Sequence, residues 1–249
     1  MKTFGLSDKG RYRAENQDSF SITTPGGVTL AVVCDGMGGA AAGRLASDMA
    51  IRHFTSWVQD ELAKKCELDT DMLRQAANIA NRRIFHFAGD QEAYAGMGTT
   101  LVAGLFREDH VTFVNVGDSR AYRIARDGIV QITKDHSLVQ EMVDRGELTR
   151  AQARRHPRRN IITRAVGSEA FVTSDILEMS VREGDIFLLC SDGLTNAVED
   201  AELHRLVLAA EDGEGACRSL VASALENNAR DNITVIVVDP GKGGDEDGQ

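Results

Sequence analysis

Apolar residues recur along this chain with two different periods, and the switches between them mark its elements. DSFSITTP (18–25) mixes apolar and hydroxyl side chains, PGG supplies a turn, and VTLAVVCD (28–35) is a β-branched run. A run of that kind suits a strand buried on both faces, so the two segments predict a hairpin. From Gly43 the period lengthens. Ala46, Ala50, Phe54, Val58 and Leu62 recur every fourth residue, with Leu45 and Met49 beside them, which lays an apolar stripe on a helix. A second helix is predicted from Asp69 or Thr70, either of which can cap its free N–H groups. Leu73, Ala76, Ala77, Ala80, Ile84 and Phe87 share one of its sides.

The next apolar runs are TTLVAGLF (99–106), HVTFVNVG (110–117) and RAYRIAR (120–126), separated by short charged or glycine-containing turns. That spacing predicts an antiparallel meander. Between Thr133 and Gly167 the apolar pattern thins, and Arg150, Arg154, Arg155, Arg158 and Arg159 crowd around Pro157. Residues 134–166 therefore read as an excursion from the core. Strands resume with SDILEMSV (174–181) and DIFLLCSD (185–192). Helical segments cover 199–210 and 215–228, and NITVIVVD (232–239) closes the fold. Two strand-rich regions, each followed by a helix pair, predict an α+β fold: a four-layer α-β-β-α sandwich of two mainly antiparallel sheets flanked by helix pairs. No internal repeat or low-complexity linker divides the chain, so residues 1–240 are expected to form a single domain. The tail 241–249 (GKGGDEDGQ) is too polar and glycine-rich to order itself.

Composition leaves that picture unchanged: 42% hydrophobic and 27% charged residues are ordinary for a globular chain of 249 residues. Charge adds to it. Acidic residues outnumber basic ones 38 to 28, giving a net charge of -10, a poor balance for neutralising nucleic-acid phosphates. Metal cations are more natural partners. MKTFGLSDKG contains no apolar segment of signal-peptide length, and no stretch approaches the ~20 apolar residues that span a bilayer. The chain is accordingly expected in the cytoplasm, with neither nucleic acid nor membrane as a partner. Cys34, Cys66, Cys190 and Cys217 lack C-x-x-C spacing and read as reduced, buried thiols.

The chemistry lies at the strand ends. VVCDGMGG (32–39) and LLCSDGL (188–194) end apolar runs in Asp-Gly, VNVGDSR (114–120) ends one in Gly-Asp, and ARDNITVIVV (229–238) begins one with Asp. A single such Asp is ordinarily a turn residue or cap. Four are different if their strand ends converge. Two like charges ~4 Å apart repel by ~1 kcal/mol in water and ~4 kcal/mol at an effective dielectric of ~20, so clustered aspartates call for cations. Oxygen ligands without thiolate or imidazole favour Mg²⁺ or Mn²⁺. The six histidines form no H-x-x-x-H pair of the zinc-protease type. Glycine after Asp35 and Asp192 would let the backbone turn sharply and let a carbonyl or ligand approach closely.

SDKGRYRAENQDSF, VVCDGMGG, GMGTTLVA, NVGDSRAYRI, TKDHSLV, NIITRAVG, FLLCSDGL and ARDNITVIVV resemble, in order and over nearly the whole chain, the motif series of the metal-dependent type 2C protein phosphatases. The resemblance implies an α-β-β-α sandwich with a dinuclear Mn²⁺ or Mg²⁺ site in a cleft at one end of the sheets. It further implies a protein serine/threonine phosphatase in which metal-activated water attacks phosphoserine or phosphothreonine in line, without a phosphoenzyme. Carried over residue by residue, Asp35 would bridge both ions and the Gly36 carbonyl would complete the first ion's shell. Asp192 and Asp231 would hold the second ion, Asp18 would orient metal-bound water, and Asp118 would join Asp192 around a third. Arg13 would grip the substrate phosphate, a task suited to its bidentate fork. Met37 stands where some members place a histidine as candidate general acid, which leaves the proton donor unassigned. His136 reads as structural. Implied partners are phosphorylated Ser/Thr proteins and a cognate bacterial Ser/Thr kinase, with the chain acting as a monomer. The arginine-rich excursion would be a flap beside the cleft, steering acidic or phosphorylated substrates.

Rival readings carry less. Gly36-Met37-Gly38-Gly39-Ala40-Ala41 fits the dinucleotide fingerprint G-x-G-x-x-A. Asp35 would press its carboxylate toward the pyrophosphate, however, and the following helix leads to another helix instead of a parallel strand. No cysteine begins a C-x5-R phosphate loop. Asp69-Thr70-Asp71-Met72-Leu73 lacks the last residue of the D-x-D-x-T nucleophile loop and follows charged residues instead of a strand. The remaining alternative is a catalytically weak, phosphopeptide-binding pseudophosphatase, disfavoured because every matched metal ligand is present.

Overall fold

In the computed structural model, which describes residues 1–64 and 70–241, two antiparallel sheets are stacked between two helix layers. The chain runs β1 (Lys2–Asp8), β2 (Asp18–Thr23), β3 (Thr29–Met37), α1 (Ala40–Ala63), α2 (Thr70–Gly89), β4 (Gly98–Thr99), β5 (Leu101–Phe106), β6 (His110–Val116), β7 (Arg120–Ala125) and β8 (Gly128–Gln131). It continues with α3 (Leu138–Asp144), α4 (Arg150–Arg154), β9 (Asp175–Ser180), β10 (Ile186–Cys190), α5 (Asp192–Thr195), α6 (Asp200–Ala209), α7 (Gly213–Glu226) and β11 (Ile233–Asp239). One sheet is ordered β1-β11-β10-β7-β8 and the other β2-β3-β5-β6-β9, with β4 paired to β3. The Cys66 thiol, the Asp69 cap and the tail from residue 242 fall outside the described residues.

Unbroken apolar strands make sense once both faces are covered. On β3, Leu30, Val32 and Cys34 pack under α1 and α2, whereas Ala31 and Val33 point into the layer between the sheets. On β11, Ile233, Val235 and Val237 face α6 and α7 while Ile236 and Val238 face the other sheet. Phe106, Phe113 and Phe187 meet in that middle layer with ring centroids 5.3 to 5.9 Å apart. Such tilted and edge-on contacts add to the area each ring buries. The helix stripes behave as their spacing requires: Ala46, Ala50, Phe54 and Val58 of α1 and Leu73, Ala76, Ala77, Ala80 and Ile84 of α2 are buried.

The predicted meander is corrected. β5 and β6 do pair, but β7 leaves for the other sheet, where it lies between β10 and β8, and β9 takes the place beside β6. A turn signal marks a reversal without saying which sheet receives the next strand. Here the choice is set by distant partners, since Arg123 of β7 meets the buried Asp185 carboxylate at 2.6 Å. The excursion also holds two short helices that apolar spacing misses, because α3 buries only Val139 and α4 only Ala153. Capping supports them: the Ser137 hydroxyl accepts from the Gln140 N–H, and Thr149 and Gln152 form a capping box. Among the described residues no helix is long and apolar enough to cross a membrane.

Candidate active site

Both sheets deliver aspartates to one end of the sandwich. Antiparallel register sets Asp18 directly opposite Asp35 across β2 and β3. Asp118 sits in the link between β6 and β7, where the chain changes sheets. Asp192 opens α5 just after β10, and Asp231 precedes β11, the neighbour of β10. Asp35, Gly36, Asp118, Asp192, Asp231 and Arg13 all line one cleft of about 450 Å³. Asp18 is buried, 3% exposed. The aspartates at the four strand ends thus converge, which is the condition the charge argument set.

Short-range packing holds each one in place. The Asp35 N–H donates to the Thr100 hydroxyl (2.9 Å), and its carbonyl accepts from the Thr99 hydroxyl (2.9 Å) and the Thr100 N–H (2.8 Å). The Thr100 and Ser119 hydroxyls share a hydrogen bond, which ties the Asp118 link to the same clamp. The expected sharp turn after Asp35 does not occur, because β3 runs straight on to Met37. Glycine is required there for close approach: a Cβ on Gly36 would lie 1.9 Å from the Gly43 carbonyl oxygen of α1, and one on Gly193 would lie 1.9 Å from the Asn232 carbonyl oxygen. Asn232 also anchors the loop that carries Arg13. Its side-chain amide donates to the Lys9 and Glu15 carbonyls, and its Oδ1 accepts from the Gln17 N–H.

The cluster is electrostatically strained as it stands. Burial, then repulsion from Asp18, Asp192, Asp118 and Asp231, pushes the Asp35 carboxyl well above the usual range. Burial followed by Asp231 and Asp18 lifts Asp192 to about 7, and burial and Asp192 lift Asp118 strongly. Asp18 reaches about 6 through burial, held down by its hydrogen bond from the Ser191 hydroxyl (2.7 Å). Hydrogen bonds do not relieve the rest: Asp18 Oδ1 and Asp192 Oδ1 are buried with no partner at all. An orphaned buried acceptor costs about 1 to 3 kcal/mol.

A divalent cation would answer both the mutual repulsion and the orphaned oxygens, and an all-oxygen donor set fits Mg²⁺ or Mn²⁺. Among the described residues, no group of three or more Asp, Glu, His or Cys side chains is already disposed to hold an ion. Arg13 pairs with Asp231 Oδ2, and Asn196 Nδ2 donates to Asp192 Oδ2 (2.9 Å), so a cation taking those oxygens competes with a guanidinium and an amide. Arg13 is half exposed and lies in the fields of Asp35 and Asp192 as well.

Other residues singled out in the sequence sort themselves by their contacts. His136 Nδ1 accepts from the Gly117 N–H (3.1 Å), which puts its proton on Nε2, 3.2 Å from Asp175 Oδ2. Nδ1 thereby holds the link that bears Asp118, Nε2 faces Asp175 of β9 with Arg164 Nη1 also 3.2 Å away, and burial lowers the ring's pKa. Met37 lines the cleft, and so do Asn160 and Ile162 from the excursion. Arg154 is docked onto the Val198 carbonyl (2.8 Å), while Arg150, Arg155, Arg158 and Arg159 have no ion-pair partner among the described residues. Thr99, Thr100, Ser119, Ser191, Asn196 and Asn232 carry no signal in the sequence, since a lone hydroxyl or amide is uninformative until its partner is known.

Comparison with known proteins gives the family. The sequence model of the family Protein phosphatase 2C matches residues 11–223. The serine/threonine phosphatase stp of Listeria innocua is 36% identical over 235 residues, covering 94% of this chain and 93% of its own. The crystal structure of the serine/threonine phosphatase Stp1 from Staphylococcus aureus superposes with a TM-score of 0.89 at 36% identity, covering 95% of this chain and 93% of that one. The catalytic domain of serine/threonine protein phosphatase PstP, solved in complex with two manganese ions, superposes with a TM-score of 0.83 at 33% identity over 95% and 96% of the two chains. With an acidic cleft between two antiparallel sheets and a family match over most of its length, the chain belongs to the protein phosphatase 2C family of metal-dependent serine/threonine phosphatases.

Proposed function

We propose that the cleft hydrolyses phosphoserine and phosphothreonine on proteins by direct attack of water on phosphorus, with Mn²⁺ or Mg²⁺ held by Asp35, the Gly36 carbonyl, Asp192 and Asp231. Asp118 and Asp192 are the side chains for a third ion. The observation that carries this reading is the convergence of buried and half-buried, mutually repelling aspartates, two of them with an orphaned oxygen, on a cleft with Arg13 in its wall. When bound, such ions supply Lewis acidity that activates water and neutralises phosphoryl charge. Arg13 grips the phosphate with its planar fork, exchanging the Asp231 carboxylate for phosphate oxygens. Asp18, with Oδ2 fixed by Ser191 and Oδ1 free, orients the attacking water. Among the described residues the lining contains no cysteine or histidine, its one hydroxyl, on Thr100, is committed to Asp35 and Ser119, and its aspartates are taken up as the proposed metal ligands, which leaves water as the nucleophile. The Met37 thioether has no proton to give, so protonation of the leaving alkoxide falls to water.

The proposal takes residues 1–240 as one catalytic domain acting as a monomer in the cytoplasm against a bacterial Ser/Thr kinase. Turnover of an aryl phosphate and a phosphothreonine peptide with Mn²⁺, with and without chelator, tests it beside Asp192→Ala. Activity is expected to vanish with chelator and to fall by at least about a hundredfold in the variant. Chelator-resistant turnover refutes the metal mechanism, and tight peptide binding without turnover in the metal-loaded protein favours a phosphopeptide-binding role.

A further inference from the structure

The outer face of the α1–α2 pair carries a groove that catalysis leaves unused. On α2, Ile79, Arg82, Arg83 and His86 fall at helical spacing i, i+3, i+4 and i+7, away from the face that buries Ala76, Ala77, Ala80 and Ile84. Trp57 of α1 completes the wall, and the five residues enclose about 420 Å³. Trp57 and Ile79 offer apolar surface, and Lys64 Nζ lies 5.7 Å from the indole centroid.

The charge here is out of balance. Several exposed helix arginines are matched to a carboxylate one turn away, as in Arg74–Asp71 at the other end of α2, Arg205–Glu202 and Arg218–Glu214. Arg82, Arg83 and the nearby Arg52 are exposed, and their guanidiniums make no ion pair or hydrogen bond with any described residue. Their fields meet: His53 of α1 is held below its ordinary pKa first by burial and then by Arg83 and Arg52. A chain of net charge -10 thus keeps two unmatched guanidiniums, Arg82 and Arg83, in one groove with an aromatic ring.

We infer that this groove docks an acidic peptide segment of the phosphoprotein whose phosphorylated residue enters the cleft, an inference that rests on the proposed function. Glutamate or aspartate would pair with Arg82 and Arg83 while an apolar side chain seats on Trp57 and Ile79. Geometry sets the spacing. α1 starts at Ala40, next to Gly39 of the cleft wall, and Trp57 lies about 26 Å along it at a rise of ~1.5 Å per residue. Extended peptide covers ~3.3 Å per residue, so the acidic segment lies at least about eight residues from the phosphorylated one. A nucleic acid fits poorly, since a few arginines on a strongly acidic chain cannot follow a run of phosphates. A membrane fits no better, because the exposed large hydrophobic residues, such as Phe171 and Val130, lie off both helices.

Fluorescence anisotropy on the metal-free protein tests the groove without any turnover. The probe is a fluorescein-labelled twelve-residue peptide of glutamate and aspartate with one central leucine. Arg82→Ala/Arg83→Ala should weaken binding about tenfold at low salt, and Arg82→Lys/Arg83→Lys should restore most of it. Arg205→Ala/Arg218→Ala, on the opposite helix layer, should leave binding unchanged. With Mn²⁺ present, two phosphothreonine peptides, one bare and one carrying the acidic segment eight residues away, should separate the effects: the Ala/Ala variant raises KM for the longer peptide alone, at unchanged kcat. Equal binding by wild type and variant, or binding of a DNA duplex or phosphatidylserine vesicles in place of the peptide, overturns the inference. Loss of turnover on both peptides by wild type, with anisotropy intact, overturns the catalytic reading and leaves the groove as an acidic-peptide site.

Discussion

His136 shows how one residue reports on the site without belonging to its chemistry. Its ring accepts from the Gly117 N–H and faces Asp175, so it braces the segment carrying Asp118 in the neutral Nε2–H form. Burial lowers its folded pKa below the unfolded value, which means the folded state binds the proton less tightly. Its contribution to stability is therefore complete above the unfolded pKa of ~6.5 and is lost as pH falls through the folded pKa. His136→Asn keeps an acceptor for Gly117 but cannot titrate. The melting temperature of the wild type should fall more steeply than that of the variant between about pH 7 and pH 5, as thermal denaturation monitored by circular dichroism will show. Parallel curves would mean that His136 does not set this slope. Residue chemistry of this kind was half legible: KDHS announced a histidine near the site, but its tautomer follows only from the partners at each nitrogen.

At the scale of elements, the excursion between β8 and β9 is the part that pattern reading served least. α3 and α4 stand on caps and single buried side chains, so no apolar period announces them. The segment still reaches the cleft through Asn160 and Ile162, and Arg154 pins it to Val198. Its unmatched arginines belong to the same segment, and steering of negative substrates by them is a prediction to test. Replacing the unmatched Arg150, Arg155, Arg158 and Arg159 together by Ala, with the docked Arg154 kept, should lower kcat/KM for a phosphothreonine peptide severalfold at low salt, with much less effect on an aryl phosphate. Added salt should shrink the difference. Equal losses on both substrates would dispose of steering. Elements with both faces covered were far easier to read, because β3, β10 and β11 need apolar side chains at nearly every position to fill two cores.

At the scale of the whole molecule, the two sheets bring carboxylates together that an ion-free fold must hold apart. Ions binding only the folded state stabilise it by ~2.7 kcal/mol at a hundred times Kd, or about 5 to 10 °C for a domain of this size. Mn²⁺ should raise the melting temperature by that order, and Asp192→Asn should remove most of the rise; a metal-independent melting temperature would contradict ion binding at the cluster. The α+β class, the helix pairs, the apolar faces and the strand-end positions of Asp35, Asp118, Asp192 and Asp231 were determined by the sequence alone. Side-chain period and strand-end carboxylates are local properties, written within a few residues of each other. Only the tertiary structure decided that β7 changes sheets, that Gly193 makes room for the Asn232 carbonyl, and that Ser191, Thr100 and Asn232 hold the site. Each of those depends on a partner distant in sequence, and spacing along a chain carries no information about which distant segment will arrive.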